Sequence, residues 1–320
     1  MAQLSPAPPI ERLHGRHDLG QDCYAWVEPS GGWGLSNAGL VVGDGASLLV
    51  DTLFDLRLTR RMLAGFESLT AAAPITTVVN THGNGDHWFG NELIPAAQVV
   101  ASEATAQEMR QVGPAEVLEL LELSGPVGRF TRDIFGTFCF AEVTPRYPTR
   151  TFSGRLTLDV GGVEVELIEV GPAHTNGDVV VHVPSARVVF VGDIVFNGGT
   201  PIVWAGPVDG WLRACDLLLD LDVDIIVPGH GPVAGKSSLQ STQDYLRFVY
   251  GEATAAYAAG LGPDEAARDI ARRDAGGFAG RPEAERLAAN VHAVYRELDP
   301  TRAVPHGPHL FGCMAALLEA

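Results

Sequence analysis

Apolar residues gather in short, β-branched runs in two stretches of the chain, and most runs end at Gly, Asn, Asp or Pro. This pattern predicts strands over 23–27, 35–42 and 47–50, with a hairpin turn at Gly43-Asp44-Gly45. Leu58, Met62 and Phe66 recur at helical spacing and predict a helix over 56–68. Strands are then expected at 75–79 and 99–101, with Ser102 capping a helix that runs to about 111. In the second half, strands are expected at 156–160 and 163–170 around Gly161-Gly162, then at 179–183 and 188–191. Helical segments follow at 210–219, 238–259, 263–273 and 282–298, with the Gly-rich 275–280 stretch as a linker. Two β-rich halves with helices outside them predict an α+β fold, a four-layer αββα sandwich and not an alternating parallel sheet.

Residues 113–150 break the rhythm. A helix is expected at 116–123, and the rest holds Gly, Pro and Phe130, Phe135, Phe138, Phe140 and Tyr147, which reads as an insertion or lid. The whole chain, 1–320, is read as one domain, with 251–320 as a C-terminal helical extension.

Composition narrows the function. A chain that is 46% hydrophobic and 19% charged can bury a substantial core. With 22 basic and 39 acidic residues its formal charge is −17, and no basic patch is visible, so nucleic acid and anionic membrane surfaces are disfavoured as partners. Cys23, Cys139, Cys215 and Cys313 show no CxxC spacing, which suggests neither a disulfide scaffold nor a thiolate zinc site. No signal-peptide pattern or long apolar run is seen, so a soluble, cytoplasmic protein is expected.

The chemistry lies in histidines and aspartates. His82, His87, His174 and His230 each stand just past an apolar run in a loop rich in Gly, Pro, Asn or Thr, and Asp86 and Asp193 occupy similar places. Strand ends converge in space, so these side chains are expected to meet. Imidazole with carboxylate suits zinc, iron or manganese, and the lack of thiolates points to a catalytic metal and not a closed structural one. Gly83 and Gly85 are expected to let the loop turn.

These segments, THGNGDH (81–87), GPAHTNGD (171–178), VGD (191–193) and PGHGP (228–232), together with LLVDT (48–52), resemble the metallo-β-lactamase-fold hydrolase superfamily. The resemblance covers about residues 22–250 and rests on the ordered set of motifs. It implies a metallo-β-lactamase-like sandwich in which His82, residue 84 and His174 hold a first metal, Asp86, His87 and His230 hold a second, and Asp193 bridges them. One or two zinc ions are implied, with iron or manganese as alternatives. The sequence departs from the pattern at Asn84, where the family has histidine. An amide oxygen is a poorer ligand than imidazole, so the first position is expected to be the weaker one.

The resemblance further implies a metal-dependent hydrolase that opens an ester, thioester, lactone or amide bond of a small molecule, with Asp86 orienting water and passing its proton on. Asp51 and Asp178 are expected either to orient imidazoles or to cap turns. Trp33, Trp88 and Trp204, with Phe54 and Phe89, are candidates for a substrate pocket, although Trp88 and Phe89, as large aromatics, fit a core better than a pocket. His182 is expected to be an ordinary strand residue, His14 and His17 to lie at the surface, and His306 and His309 to sit in a C-terminal loop. The helices leave a homodimer open. Rival readings are an iron-dependent oxidoreductase such as a sulfur dioxygenase, a tailoring enzyme that releases or cyclises a carrier-bound thioester, and a non-catalytic binding protein.

Overall fold

The computed structural model describes residues 14–28, 30–274, 276–278, 280–305 and 307–319. Seven strands make the first sheet, in the order β1 (Gly15–Gly20), β2 (Cys23–Val27), β3 (Ala38–Val42), β4 (Ser47–Val50), β5 (Ile75–Val79), β6 (Gln98–Ser102) and β7 (Arg150–Phe152). It is antiparallel from β1 to β4 and parallel from β4 to β7. The second sheet holds β8 (Arg155–Val160), β9 (Val163–Glu169), β10 (Val179–Val183), β11 (Val188–Phe196) and β12 (Ile225–His230), in the order β12-β11-β10-β9-β8. Only its β11–β12 pair is parallel.

Period-two alternation explains the layering, because successive strand residues face opposite sides of a sheet. Cys23, Ala25, Val27, Val41, Leu48, Val50 and Val79 turn inward and meet Val165, Leu167, Val179, Val181 and Phe190 of the second sheet. Their neighbours Trp26, Leu40, Leu49 and Val78 turn outward onto Leu58, Met62 and Phe66 of α1 (Leu56–Thr70). Asp55 caps that helix by accepting from the Leu58 amide at 2.7 Å. On the far side, Ile168, Val180, Val189 and Ile226 are covered by α5 (Val208–Asp220) and α6 (Ser237–Ala258) through Trp211, Cys215, Leu218 and Leu246. Both faces of the central strands are buried, which is why their sequences read as unbroken apolar runs. The αββα sandwich is therefore present.

The remaining helices are α2 (Glu103–Glu108), capped by Ser102 as expected, α3 (Pro114–Glu122), α4 (Gly125–Phe135), α7 (Pro263–Arg273), α8 (Leu287–Leu298) and α9 (Gly307–Leu318). Several elements differ from expectation. Strand β1 and the three-residue β7 carry too few apolar residues to signal strands. Helix α4 is marked in sequence by Gly and Pro, yet Pro126 falls in its first turn, where its missing N–H costs nothing, and Phe130 and Phe135 are buried. The helix expected from 282 begins only at Leu287, after one 3-10 turn at Ala284–Arg286. Residue 309 belongs to α9 and not to a loop, while His306 lies outside the described residues. Both α4 and α8 pack against α9.

Candidate metal centre

Five chain segments deliver side chains to one edge of the sandwich. Asp51 follows β4, the 80–87 loop follows β5, the 170–178 loop follows β9, Asp193 lies within β11, and His230 is the last residue of β12. Asp193 is thus inside a nine-residue strand and not beyond it. The β11–β12 register shifts on both sides of the preceding Gly192, between Phe190 and Gly192 and between Gly192 and Phe196. Such irregularities re-aim a side chain, here the carboxylate. Gly229 leaves the space for it, since a Cβ there would stand 1.9 Å from Asp193 Oδ1.

The expected ligands meet in two groups, His82, His174 and Asp193 in one and Asp86, His87 and His230 in the other, with the donor atoms of each group within 4.8 Å of one another. Asp193 lies between them. Its Oδ1 is 3.1 Å from His87 Nε2, and its Oδ2 is 3.4 Å from both His174 Nε2 and His230 Nε2 and 3.7 Å from His82 Nε2. Asp86 Oδ2 is 3.4 Å from His230 Nε2 and 3.9 Å from His87 Nε2. Asn84 Oδ1 reaches His174 Nε2 at 2.8 Å, so the amide points into the first group.

The outer nitrogens decide what the inner ones offer. His87 Nδ1 meets the Asp51 carboxylate at 2.9 Å, and His174 Nδ1 meets the Ile202 carbonyl at 2.7 Å; neither acceptor brings a proton, so both rings carry theirs on Nδ1. Thr81 donates its hydroxyl to Asp51 at 2.7 Å, which leaves a lone pair for His82 Nδ1 at 3.0 Å. In all three rings Nε2 then presents a lone pair inward, beside carboxylates and an amide oxygen that are acceptors as well. His82 Nε2, His87 Nε2 and Asp193 Oδ1 are buried without hydrogen-bond partners. A cluster of converging buried acceptors is costly unless a cation sits among them. The residues therefore fit the divalent metal that their chemistry implies, through nitrogen and oxygen donors alone.

Electrostatics divides the rings. Burial lowers His82 well below the ordinary histidine range and His174 to about 4, keeping both neutral. Burial also opposes charge on His87 and His230, but Asp193 and Asp86 outweigh it, lifting His87 well above the usual range and His230 to about 9. Burial would raise Asp193 and Asp86, yet the surrounding imidazoles bring Asp193 far down and Asp86 down. The protons that the aspartates attract to His87 and His230 are those a cation would replace.

Supporting residues separate by what they touch. Asp51 serves both the His87 ring and the Thr81 amide, the latter at 2.7 Å. Asp178 touches no ring; it accepts from the Thr175 amide at 2.9 Å and hydroxyl at 2.8 Å and clasps the loop that carries His174. Gly83 and Gly85 do not lie in the left-handed region. They are small because a Cβ at 83 would strike Glu108 and one at 85 would strike the Phe89 ring, at 2.8 and 2.4 Å.

Of the proposed pocket aromatics, Trp33 and Trp204 are half-buried neighbours, 6.4 Å apart and packed with Phe311; Phe130 and Phe135 also pack on Trp33. Trp88 is placed in the core instead. It is fully buried, and its Nε1 donates to the Gly83 carbonyl at 3.0 Å. Phe54 and Phe89 are buried and stacked on each other. His182 bonds Glu166 across the strand pair, as an ordinary strand residue would. Cys23, Cys139, Cys215 and Cys313 are all free.

Two contributors left no mark in the sequence. The Asn37 side chain donates to the carbonyls of Pro228 and Gly231, both at 2.8 Å, and so fixes the end of β12. Buried Arg286 lies 4.2 Å over Trp33 and 5.1 Å over Phe196, and Phe196 stacks in turn on His230. This relay joins the aromatic wall to the histidine cluster.

Comparison with known proteins agrees with this geometry. The family model described as the metallo-beta-lactamase superfamily matches residues 31–230. Among curated proteins, the chain is 30% identical over 198 residues to the 2,4-dinitroanisole O-demethylase subunit alpha of Nocardioides sp. (strain JS1661), covering 59% of this chain and 51% of that one. It is 30% identical over 132 residues to the hydroxyacylglutathione hydrolase of Erythrobacter litoralis (strain HTCC2594), covering 41% and 39% respectively. The chain thus matches about half or less of the length of these relatives. Among solved structures, the sec-alkylsulfatase Pisa1 from Pseudomonas sp. superposes with a TM-score of 0.66 at 18% identity, covering 90% of this chain and 51% of that one. A metallo-beta-lactamase from Pontibacter korlensis does so with a TM-score of 0.56 at 20% identity, covering 72% and 98%. At these identities the structural likeness speaks for the fold alone.

Proposed function

Because the chain belongs to the metallo-beta-lactamase superfamily, we propose that it is a metal-dependent hydrolase of a small molecule, acting on an ester, thioester, lactone or amide bond. The observation that carries this reading is the convergence of His82, His87 and His174, each with Nε2 turned inward and Nδ1 held from behind, on the Asp193 carboxylate. His82, His174, Asp193 and Asn84 would hold one divalent ion, zinc in the first instance, and Asp86, His87 and His230 a second. Bound there, it would supply Lewis acidity, bringing solvent deprotonation near neutral pH and polarising the bond to be cleaved.

The protein's own groups do the rest. Asp86, slightly more exposed than its neighbours, would orient solvent and carry its proton to the leaving group. Asp51 keeps the His87 proton on Nδ1. Trp33, Trp204 and Phe311 gather as an apolar wall of mutually tilted rings against which an aromatic or acyl part of the substrate would rest.

Purified protein should contain zinc, iron or manganese on elemental analysis, and chelation followed by readdition should abolish and restore turnover of a chromogenic panel. That panel includes aryl esters, a thioester, a lactone, a β-lactam and, following the first-named relative, 2,4-dinitroanisole. Full turnover by metal-free protein would overturn the reading.

A further inference from the structure

Away from the candidate centre, helices α7, α8 and α9 bring together Asp264, His292, His309 and Cys313, with one potential ligand atom from each lying within 4.8 Å of the others. We propose that these four side chains form a separate transition-metal site of zinc type, which clips α9 to α7 and α8.

His309 and Cys313 are four residues apart on α9 and so share one face of that helix. Their ligand atoms, Nε2 and Sγ, are 3.6 Å apart. Bonds of about 2.0 Å to nitrogen and 2.3 Å to sulfur put two tetrahedral ligands about 3.5 Å apart, so this pair needs almost no rearrangement. His292 enters from α8, with its ring centroid 5.5 Å from that of His309 and nearly perpendicular to it. Asp264 comes from the first turn of α7 and hydrogen-bonds His292 Nε2 at 2.8 Å, a pair that a bound ion would open to about 3.3 Å. A cavity of about 310 Å³ opens over Asp264, His309 and Cys313 and gives an ion a way in.

One thiolate, two imidazoles and one carboxylate fill a tetrahedral shell, and no position remains for a substrate, so the site is structural. On binding, the Cys313 proton leaves to solvent as the metal–sulfur bond forms, with no change of oxidation state. The ligands are spread over 264–313 and three helices, which is why the scattered cysteines gave no zinc signal in the sequence. The consequence reaches the aromatic wall. Two residues along α9 from His309, Phe311 packs on Trp33, Phe130, Phe135 and Trp204. A metal that holds His309 and Cys313 therefore also holds Phe311 in place.

Cobalt distinguishes this site from the candidate centre, whose donors include no sulfur. Full-length protein titrated with Co²⁺ should develop a near-ultraviolet thiolate-to-cobalt charge-transfer band that saturates at one equivalent. C313S, shown to be folded by circular dichroism, should lack the band and bind one equivalent less zinc than the wild type. H82A should keep the band, which makes the result independent of the hydrolase reading. Absence of the band in the wild type at saturating cobalt, or its survival in C313S, would overturn the proposal. Should C313S fail to fold, D264N must weaken the cobalt affinity behind the band at least tenfold, and unchanged affinity would have the same meaning.

Discussion

Asp51 stands behind His87, with its Oδ2 2.9 Å from the ring Nδ1, and it does so from the left-handed backbone region at φ 60°. Only a short polar side chain other than glycine visits that region readily, so the strain is tolerated for what the carboxylate reaches. Asp51→Asn keeps the backbone and the volume but sets an amide against the His87 proton. The ring must then move its proton to Nε2, the atom facing Asp193. We expect metal affinity to fall about 10- to 100-fold in this variant, read by competition with a chromogenic chelator, while its circular dichroism stays that of the wild type. Wild-type affinity would mean that His87 is not oriented through Asp51.

Asn84 offers a sharper comparison. His174 holds its proton on Nδ1 against the Ile202 carbonyl, so its Nε2 and the Asn84 Oδ1, 2.8 Å apart, are two acceptors face to face. Either an ion lies against both or the amide turns its nitrogen toward the ring. Under the first arrangement Asn84→His strengthens the weaker metal position and Asn84→Leu empties it, giving contents near two and one per chain on elemental analysis after dialysis when both changes are made in the C313S background, where the helical site is absent. Equal contents in wild type and Asn84→Leu would assign the amide a hydrogen-bonding part only.

The candidate centre was legible in sequence because most of its residues stand at or just past strand ends, which the fold brings to one edge whatever the intervening loops do; Asp193, inside β11, is the exception. His82, His87 and His174 needed no knowledge of packing to be found. Asn37 and Arg286 did. One acts through its amide on carbonyls about 190 residues away, the other by lying over rings drawn from separate elements, and neither has a local pattern. Helix α9 was missed for a related reason. Its buried residues, Leu310, Phe311, Met314 and Ala315, sit among Gly and Ala, so no polar face alternates with them to reveal the period. Trp88 favoured the core on size alone, and its burial settles the choice.

Asp178 gives a pH prediction. Burial, partly offset by its two bonds from Thr175, pushes its pKa up to about 8. A carboxyl raised in the folded state contributes stability that is fully present below the unfolded value, near 3.9, and is lost as pH rises through the folded one. Asparagine mimics the protonated form: its oxygen can accept from the Thr175 amide and its nitrogen can donate to the hydroxyl. In metal-free protein, urea unfolding at pH 5 and pH 8 should show Asp178→Asn gaining on the wild type at the higher pH, by up to about 1.4 kcal/mol for each pH unit crossed. A constant difference between the two proteins would place the Asp178 pKa outside this window.

Trp33 and Trp88 separate a wall from a core. Trp33 is half-exposed and meets Trp204 and Phe311 at ring separations of 6.4 and 6.2 Å, so truncation removes a surface on which an aromatic group can rest. Each aromatic contact is worth about 0.5–1.5 kcal/mol beyond its burial, so Trp33→Ala should raise KM for an aryl ester about tenfold. Its kcat should stay within about threefold, because no metal-facing nitrogen is disturbed, and a small acetyl ester should not register the change. Trp88→Ala deletes a fully buried ring whose Nε1 holds the Gly83 carbonyl, and it should cost about 3–5 kcal/mol of stability. Whatever fraction of that variant stays folded should show wild-type KM. A KM rise in the folded Trp88 variant with none in Trp33→Ala would reverse the assignment, and it would put the substrate on the metal-loop side of the sheet edge instead of beneath α9.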